Sequence, residues 1–116
     1  QNLLRGRTQI DATIDLHGLR QQEAHLRLLR FLHEAQARHH RVVLVVTGKG
    51  DRSAVYGRGA DTEAGVLRRA APFWLSAPEL RGVVLGFEEA GQSHGGSGAL
   101  YVRLRRKDRA GRIDPR

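Results

Sequence analysis

Three short stretches of this chain carry residue types suited to chemistry at phosphate. The first is Asp15-Leu16-His17-Gly18. On a strand, side chains two positions apart share a face, so Asp15 and His17 project together while Leu16 points to the opposite side. A carboxylate beside an imidazole orients the ring and selects its tautomer, and histidine is the side chain suited to moving protons near neutral pH. The pair therefore fits general acid–base work at a phosphodiester. A cap on the following helix, or an exposed ion pair, is the plainer use of the same spacing.

The second stretch is Thr47-Gly48-Lys49-Gly50, directly after an apolar run. Glycines at the carboxyl end of a strand let backbone N–H groups approach an anion, and the lysine between them adds a mobile point charge. It is neither a Walker loop nor a dinucleotide fingerprint, because the glycine spacing of both is absent, and an ordinary turn has the same composition. The third stretch is His94-Gly95-Gly96-Ser97-Gly98, whose three glycines exceed what a hairpin needs. Tyr101 follows it, alternating away from Leu100 and Val102, and is the better candidate for stacking on a base. Trp74 and Phe73 sit on a helix in a chain poor in aromatics, so the core is their expected place. His25 reads as a packing residue beside an apolar stripe. His33, His39 and His40 lack the spacing that puts two imidazoles on one metal, so no metal site is expected.

These residues need elements to position them. Ile10 to Leu16 alternates apolar and polar residues as a strand does, and Gln21 to about His39 spaces Ala24, Leu28, Phe31, Leu32 and Ala35 as an amphipathic helix. That helix has no Ser, Thr or Asp cap, but Arg38, His39 and His40 near its end suit the helix dipole. Val42 to Val46 reads as a strand buried on both faces. Asp51 to Ala64 is read as a loop, Gly65 to Ala77 as a helix kinked or restarted at Pro72, Val83 to Phe87 as a short strand, and Ala99 to Leu104 as the last strand. The order β-α-β-α-β-β predicts a two-layer α/β sandwich with a mixed four-stranded sheet and two helices. If the first, second and last strands are neighbours, Asp15, His17, Lys49 and the glycine loop converge on one edge, where open α/β sheets bind ligands.

The chain has 116 residues, a formal charge of +8 and 20 basic residues against 12 acidic ones. This length fits one domain. Eighteen of the basic residues are arginine, whose planar forks suit phosphate, so a nucleic-acid partner is expected. No apolar run is long enough for a membrane helix and no signal peptide is visible, which makes the cytoplasm the expected compartment and a membrane partner unexpected. The absence of cysteine excludes disulfides, thiolate metal sites and a cysteine nucleophile. Starting at Gln1 and lacking methionine, the chain reads as part of a longer protein, with residues 1–9 an extension, 10–106 the domain and 107–116 a basic, flexible tail.

The motifs occur in an order that resembles the small MutS-related (Smr) domain, in its bacterial stand-alone form. The resemblance rests on IDLHGL (Ile14 to Leu19), TGKG (Thr47 to Gly50), GVLRR (Gly65 to Arg69) with Trp74-Leu75, and GGSGALYVRL (Gly95 to Leu104). It implies a fold similar to the C-terminal domain of a bacterial translation initiation factor and an association with nucleic acid. It also implies nuclease activity, either cleavage of RNA at stalled ribosomes or nicking of DNA. Asp15 and His17 match the family's D-x-H residues, Gly48, Lys49 and Gly50 its second motif, and Gly95, Gly96 and Gly98 its third. The 51–64 insertion and Arg20, where a small capping residue is common, depart from the pattern and bear on substrate access.

The expected function is an endonuclease or nuclease-like protein acting on RNA in preference to DNA. Asp15 and His17 would be catalytic. Gly48, Lys49, Gly50, Gly95, Gly96, Gly98, Tyr101, Arg103, Arg105 and Arg106 would contact phosphate or nucleic acid. A metal-independent route would activate the 2′-hydroxyl, and a route through Asp15 and Mg²⁺ is the alternative. The rival reading is a non-catalytic module that binds nucleic acid or the ribosome. A metabolic enzyme with a small phosphate ligand is the third, and it lacks a nucleotide signature.

Overall fold

A computed structural model describes residues 9–48, 63–90 and 98–107. Residues 1–8 of the expected 1–9 extension, most of the expected 51–64 loop and the tail beyond Lys107 lie outside the described residues. The elements are β1 (Ala12–Asp15), α1 (Gln21–Ala37), β2 (Val42–Val46), α2 (Glu63–Leu75), a 3₁₀ turn at Pro78–Leu80, β3 (Val84–Glu89) and β4 (Ala99–Leu104). The four strands form one sheet in the order β1-β2-β4-β3. β1 and β2 are parallel, while β4 runs antiparallel to both β2 and β3. Among the described residues this is the mixed α/β sheet with two helices that the sequence predicts.

The pattern of β2 explains its central place. Val43 and Val45 are fully buried and join Leu16, Leu28, Leu32, Leu67, Ala71, Leu75 and Val102 in the main core, which packs the sheet against the helices. Val42 and Leu44 point to the other face, where they cluster with Ala90, Ala99 and Tyr101. A strand covered on both sides wants an apolar run of β-branched residues, and VVLVV supplies it.

α1 starts with Arg20 in an extended conformation and no side-chain cap, as its sequence suggests. It ends in a Schellman arrangement, with His40 N–H donating to Ala35 C=O and His39 N–H to Gln36 C=O. His39 fills the left-handed position at φ 65°, where glycine is usual. Gln36 is 2% exposed, and its amide donates to the carbonyls of Gly82 (2.9 Å) and Arg105 (3.0 Å), tying the end of α1 to the approach to β3 and the exit of β4.

Some boundaries differ from the sequence reading. α2 runs through Pro72 without restarting, since the helix needs to give up only the bond that a residue-72 N–H would make to the carbonyl of Arg68. β3 extends to Glu89 because its charged end pairs with Tyr101 and Leu100 of β4, and a register shift between Val84 and Gly86 leaves Leu85 48% exposed. Phe73 is 77% exposed rather than in the core. Trp74 is half-buried against the main core and stacks on His25 with ring centroids 4.6 Å apart, so His25 does act in packing.

Two stability predictions follow from the helix end and the start of β1. His39→Gly should stabilise the fold by about 1 kcal/mol in denaturant titration, because it relieves a left-handed non-glycine residue. Asp11 accepts backbone N–H bonds from Arg41 (2.7 Å) and Val42 (3.2 Å). The Arg41 bond is the main reason its carboxyl lies below its ordinary value of 3.8. A lowered folded value means stability present above that ordinary value and lost as pH falls through the folded one. Asp11→Asn should therefore lower Tm by a few degrees at pH 7, and the difference between the two proteins should close as pH falls through the folded Asp11 value.

Candidate functional site

The carboxyl ends of β1, β2 and β3 and the start of β4 share one edge of the sheet. Asp15 is in register with Val46, and Val46 with Ala99, so the last residue of β1 lies two strands from the first residue of β4. Leu16 N–H donates to Val46 C=O at 2.7 Å and carries the pairing one step past the strand. The backbone then turns through Leu16–Leu19, closed by Leu19 N–H to Leu16 C=O at 3.1 Å. Gly18 sits in the third position at φ 85°, which a turn of this hand requires and which glycine adopts without strain.

This turn fixes His17. Its own N–H donates to Asp15 Oδ1 at 3.0 Å, and its ring Nδ1 lies 2.8 Å from the same oxygen. Both side chains are open to solvent, 41% exposed for His17 and 51% for Asp15. Leu16 between them is fully buried in the main core. The alternation expected of D-L-H is thus met: an anchor in the core with a carboxylate and an imidazole outside. Such a pair can accept or release a proton at a substrate while Asp15 holds the ring.

Beside the pair, Gly98 C=O accepts from Thr47 N–H (2.7 Å), Thr47 Oγ1 (3.2 Å) and Gly48 N–H (3.3 Å). The second and third motifs therefore meet at this edge, through Gly48 and Gly98. The Gly48 amide points into the protein, so the expectation that it faces an anion is not met in this arrangement. Lys49, Gly50, Gly95 and Gly96 lie outside the described residues.

The remaining expected contacts are placed elsewhere. Tyr101 is 1% exposed within the second apolar cluster, which leaves no open ring face for a base. Arg103 pairs with Val42 at the opposite end of β4 and brings its guanidinium to 3.2 Å from where a Cβ on Gly86 would stand. Arg105 and Arg106 follow the end of β4, also far from Asp15. None of the three arginines joins the Asp15–His17 pair. Arg68 of α2 was missed by sequence reasoning. With Thr47, Glu88 and Glu89 it lines a pocket of about 180 Å³. The GVLRR stretch names that arginine, but only packing of α2 on the sheet brings it beside Thr47.

Among the described residues no three His, Asp or Glu side chains come together to hold a metal ion, and no helix is long and apolar enough to cross a membrane. A divalent ion at this edge would find the Asp15 carboxylate and would take most of its shell from water and substrate.

The contact between Nδ1 and Asp15 requires Nδ1–H in the neutral ring and leaves Nε2 as the acceptor. ¹⁵N-detected NMR of His17 should show the Nδ1–H tautomer dominant in the native protein and that preference lost in Asp15→Ala.

Comparison with known proteins agrees on the family and on the fold. The family model described as the Smr domain matches residues 14–105. The ribosome rescue factor SmrB of Shewanella putrefaciens is 30% identical over 102 residues, covering 88% of this chain and 49% of the relative. The chain thus spans about half the length of the curated relatives it matches. Among solved structures, the Smr domain of Thermus thermophilus MutS2 superposes with a TM-score of 0.61 at 30% identity, covering 81% of this chain and 98% of that one. YdaL, a stand-alone small MutS-related protein from Escherichia coli, gives a TM-score of 0.61 at 32% identity over 81% of this chain and 64% of its own. With its D-x-H turn, its TGKG and glycine-loop motifs in order and its mixed sheet, the chain belongs to the Smr domain family.

Proposed function

We propose that this domain is an RNA endonuclease that works by transesterification, with His17 as the proton-transfer group. The observation that carries the reading is the solvent-exposed 2.8 Å contact between His17 Nδ1 and Asp15 Oδ1 at the edge where the strand ends converge. With Nδ1 donating to Asp15, Nε2 takes the proton of a ribose 2′-hydroxyl. The O2′–P bond then forms and the P–O5′ bond breaks. The departing 5′ oxygen takes a proton from water, leaving a 2′,3′-cyclic phosphate and a 5′-hydroxyl. Lys49 and the amides of Gly50, Gly95 and Gly96 are assigned from the motifs to neutralise the phosphate oxygens. The relatives named ribosome rescue factors support ribosome-associated RNA in the cytoplasm as the substrate, ahead of DNA. Mg²⁺ bound at Asp15 is the alternative means of neutralising that charge.

The test is cleavage of labelled single-stranded RNA, structured RNA and supercoiled DNA, each with Mg²⁺ and with EDTA. His17→Ala should slow RNA cleavage about 100-fold or more, the scale of a lost general base, and Asp15→Ala should slow it less. Products ending in a 3′-hydroxyl would eliminate the cyclic-phosphate route. The net charge of +8 favours a second reading, a non-catalytic module that binds RNA or the ribosome. Equal processing by native protein and His17→Ala, with salt-dependent binding retained in both, would put that reading first.

A further inference from the structure

We infer that the sheet edge opposite the Asp15–His17 pair is a second RNA-phosphate site, a basic cleft that holds the strand away from the scissile bond. The cleft encloses about 490 Å³. Its cationic and imidazole groups come from two segments: His39, His40 and Arg41 between α1 and β2, and Arg105, Arg106 and Lys107 after β4. None of its lining residues is acidic. Asp11, held by the backbone N–H groups of Arg41 and Val42, puts one negative charge near Arg41, against the four cations of the cleft. The four cations, Arg41, Arg105, Arg106 and Lys107, repel one another in one concavity, and a polyanion removes that cost.

The cleft is built into the fold. The buried Gln36 amide grips the Gly82 and Arg105 carbonyls, and Arg105 Nε donates to Arg81 C=O at 2.8 Å, so the backbone that presents these cations is fixed. His39 occupies its left-handed position at the rim, where a glycine would be easier. His40 Nδ1 is enclosed and makes no hydrogen bond among the described residues.

The choice of RNA as occupant rests on the function proposed above and on distance. The five residues of β2 separate the cleft from the Asp15 edge, a span of about 15 Å at roughly 3.3 Å per residue. A stacked strand advances about 3.4 Å per nucleotide, so about five nucleotides connect the two sites. An acidic polypeptide has the same charge but no reason to reach the phosphodiester edge.

The experiment uses uncleavable 2′-O-methyl RNA of 3 and 12 nucleotides, with binding read by fluorescence anisotropy across a salt series. In native protein, affinity should rise strongly from the 3-mer to the 12-mer. In Arg106→Glu/Lys107→Glu, affinity for the 12-mer should fall roughly tenfold and the salt slope should shrink by about 1.4, the value of two single-strand phosphate contacts. Arg106→Gln/Lys107→Gln, which adds no negative charge, should show the same direction with a smaller loss. Unchanged affinity and slope in both variants, with native melting temperatures, would overturn the assignment. So would displacement of the 12-mer by polyglutamate as effectively as by unlabelled RNA of equal charge. Because binding is read without cleavage, this site stands or falls separately from the nuclease: loss of length-dependent affinity in a protein that cuts nothing would support the cleft and leave the nuclease reading refuted.

Discussion

The arrangement depends on β2 being paired on both sides and covered on both faces. A strand of five apolar residues has no solvent to satisfy its backbone, so its N–H and C=O groups must be matched by neighbouring strands. β1 meets one side in parallel and β4 the other antiparallel. Parallel pairing with the preceding strand forces the chain to return along the sheet, and the amphipathic helix α1 makes that return while burying Ala24, Leu28 and Leu32. Once this register is set, Asp15, Val46 and Ala99 lie in one row, and the polar residues that follow each strand meet at one edge.

The same register divides the chemistry between two ends of the sheet. At one end the chain leaves β1 and β2 and enters β4, which brings together an acid, an imidazole, Thr47 and two glycines. At the other it leaves α1, enters β2 and leaves β4, which gathers arginine, lysine and histidine. The Gly98 carbonyl stitches the first end together through three donors, and the Gln36 amide stitches the second through two carbonyls. Each end thus has one buried polar junction that holds exposed polar side chains in place. Buried junctions of this kind carry a large cost when broken, so they position surface groups more firmly than surface contacts do.

Much of the fold was legible because it rests on local periodicity. VVLVV reads as a covered strand, the spacing of Ala24, Leu28 and Leu32 as one helix face, and β4 runs from Ala99 to Leu104 as its alternation suggests. Boundaries governed by pairing were less legible. The charged end of β3 is a strand because β4 lies beside it, and Pro72 stays within α2 because one missing backbone bond is tolerated in a helix that is otherwise packed. Tyr101 shows the limit of alternation. Alternation puts it on the face opposite Leu100 and Val102, but whether that face is open or covered is a matter of what packs there.

The sequence by itself determined the Asp15–His17 pair, since a two-residue spacing at a strand end and a glycine at the required turn position are local properties. It also determined the excess of positive charge and the two-helix, four-stranded order. Only the tertiary structure decided how these were distributed. Arg103, Arg105 and Arg106 follow the glycine motif closely in the chain, yet a six-residue antiparallel strand carries them across the sheet to the opposite end. Arg68, distant from Thr47 in sequence, lines the same pocket. Spacing along a chain fixes which face of its own element a residue occupies, while the neighbours of that face are set by strand order and helix packing, which burial of the whole core decides.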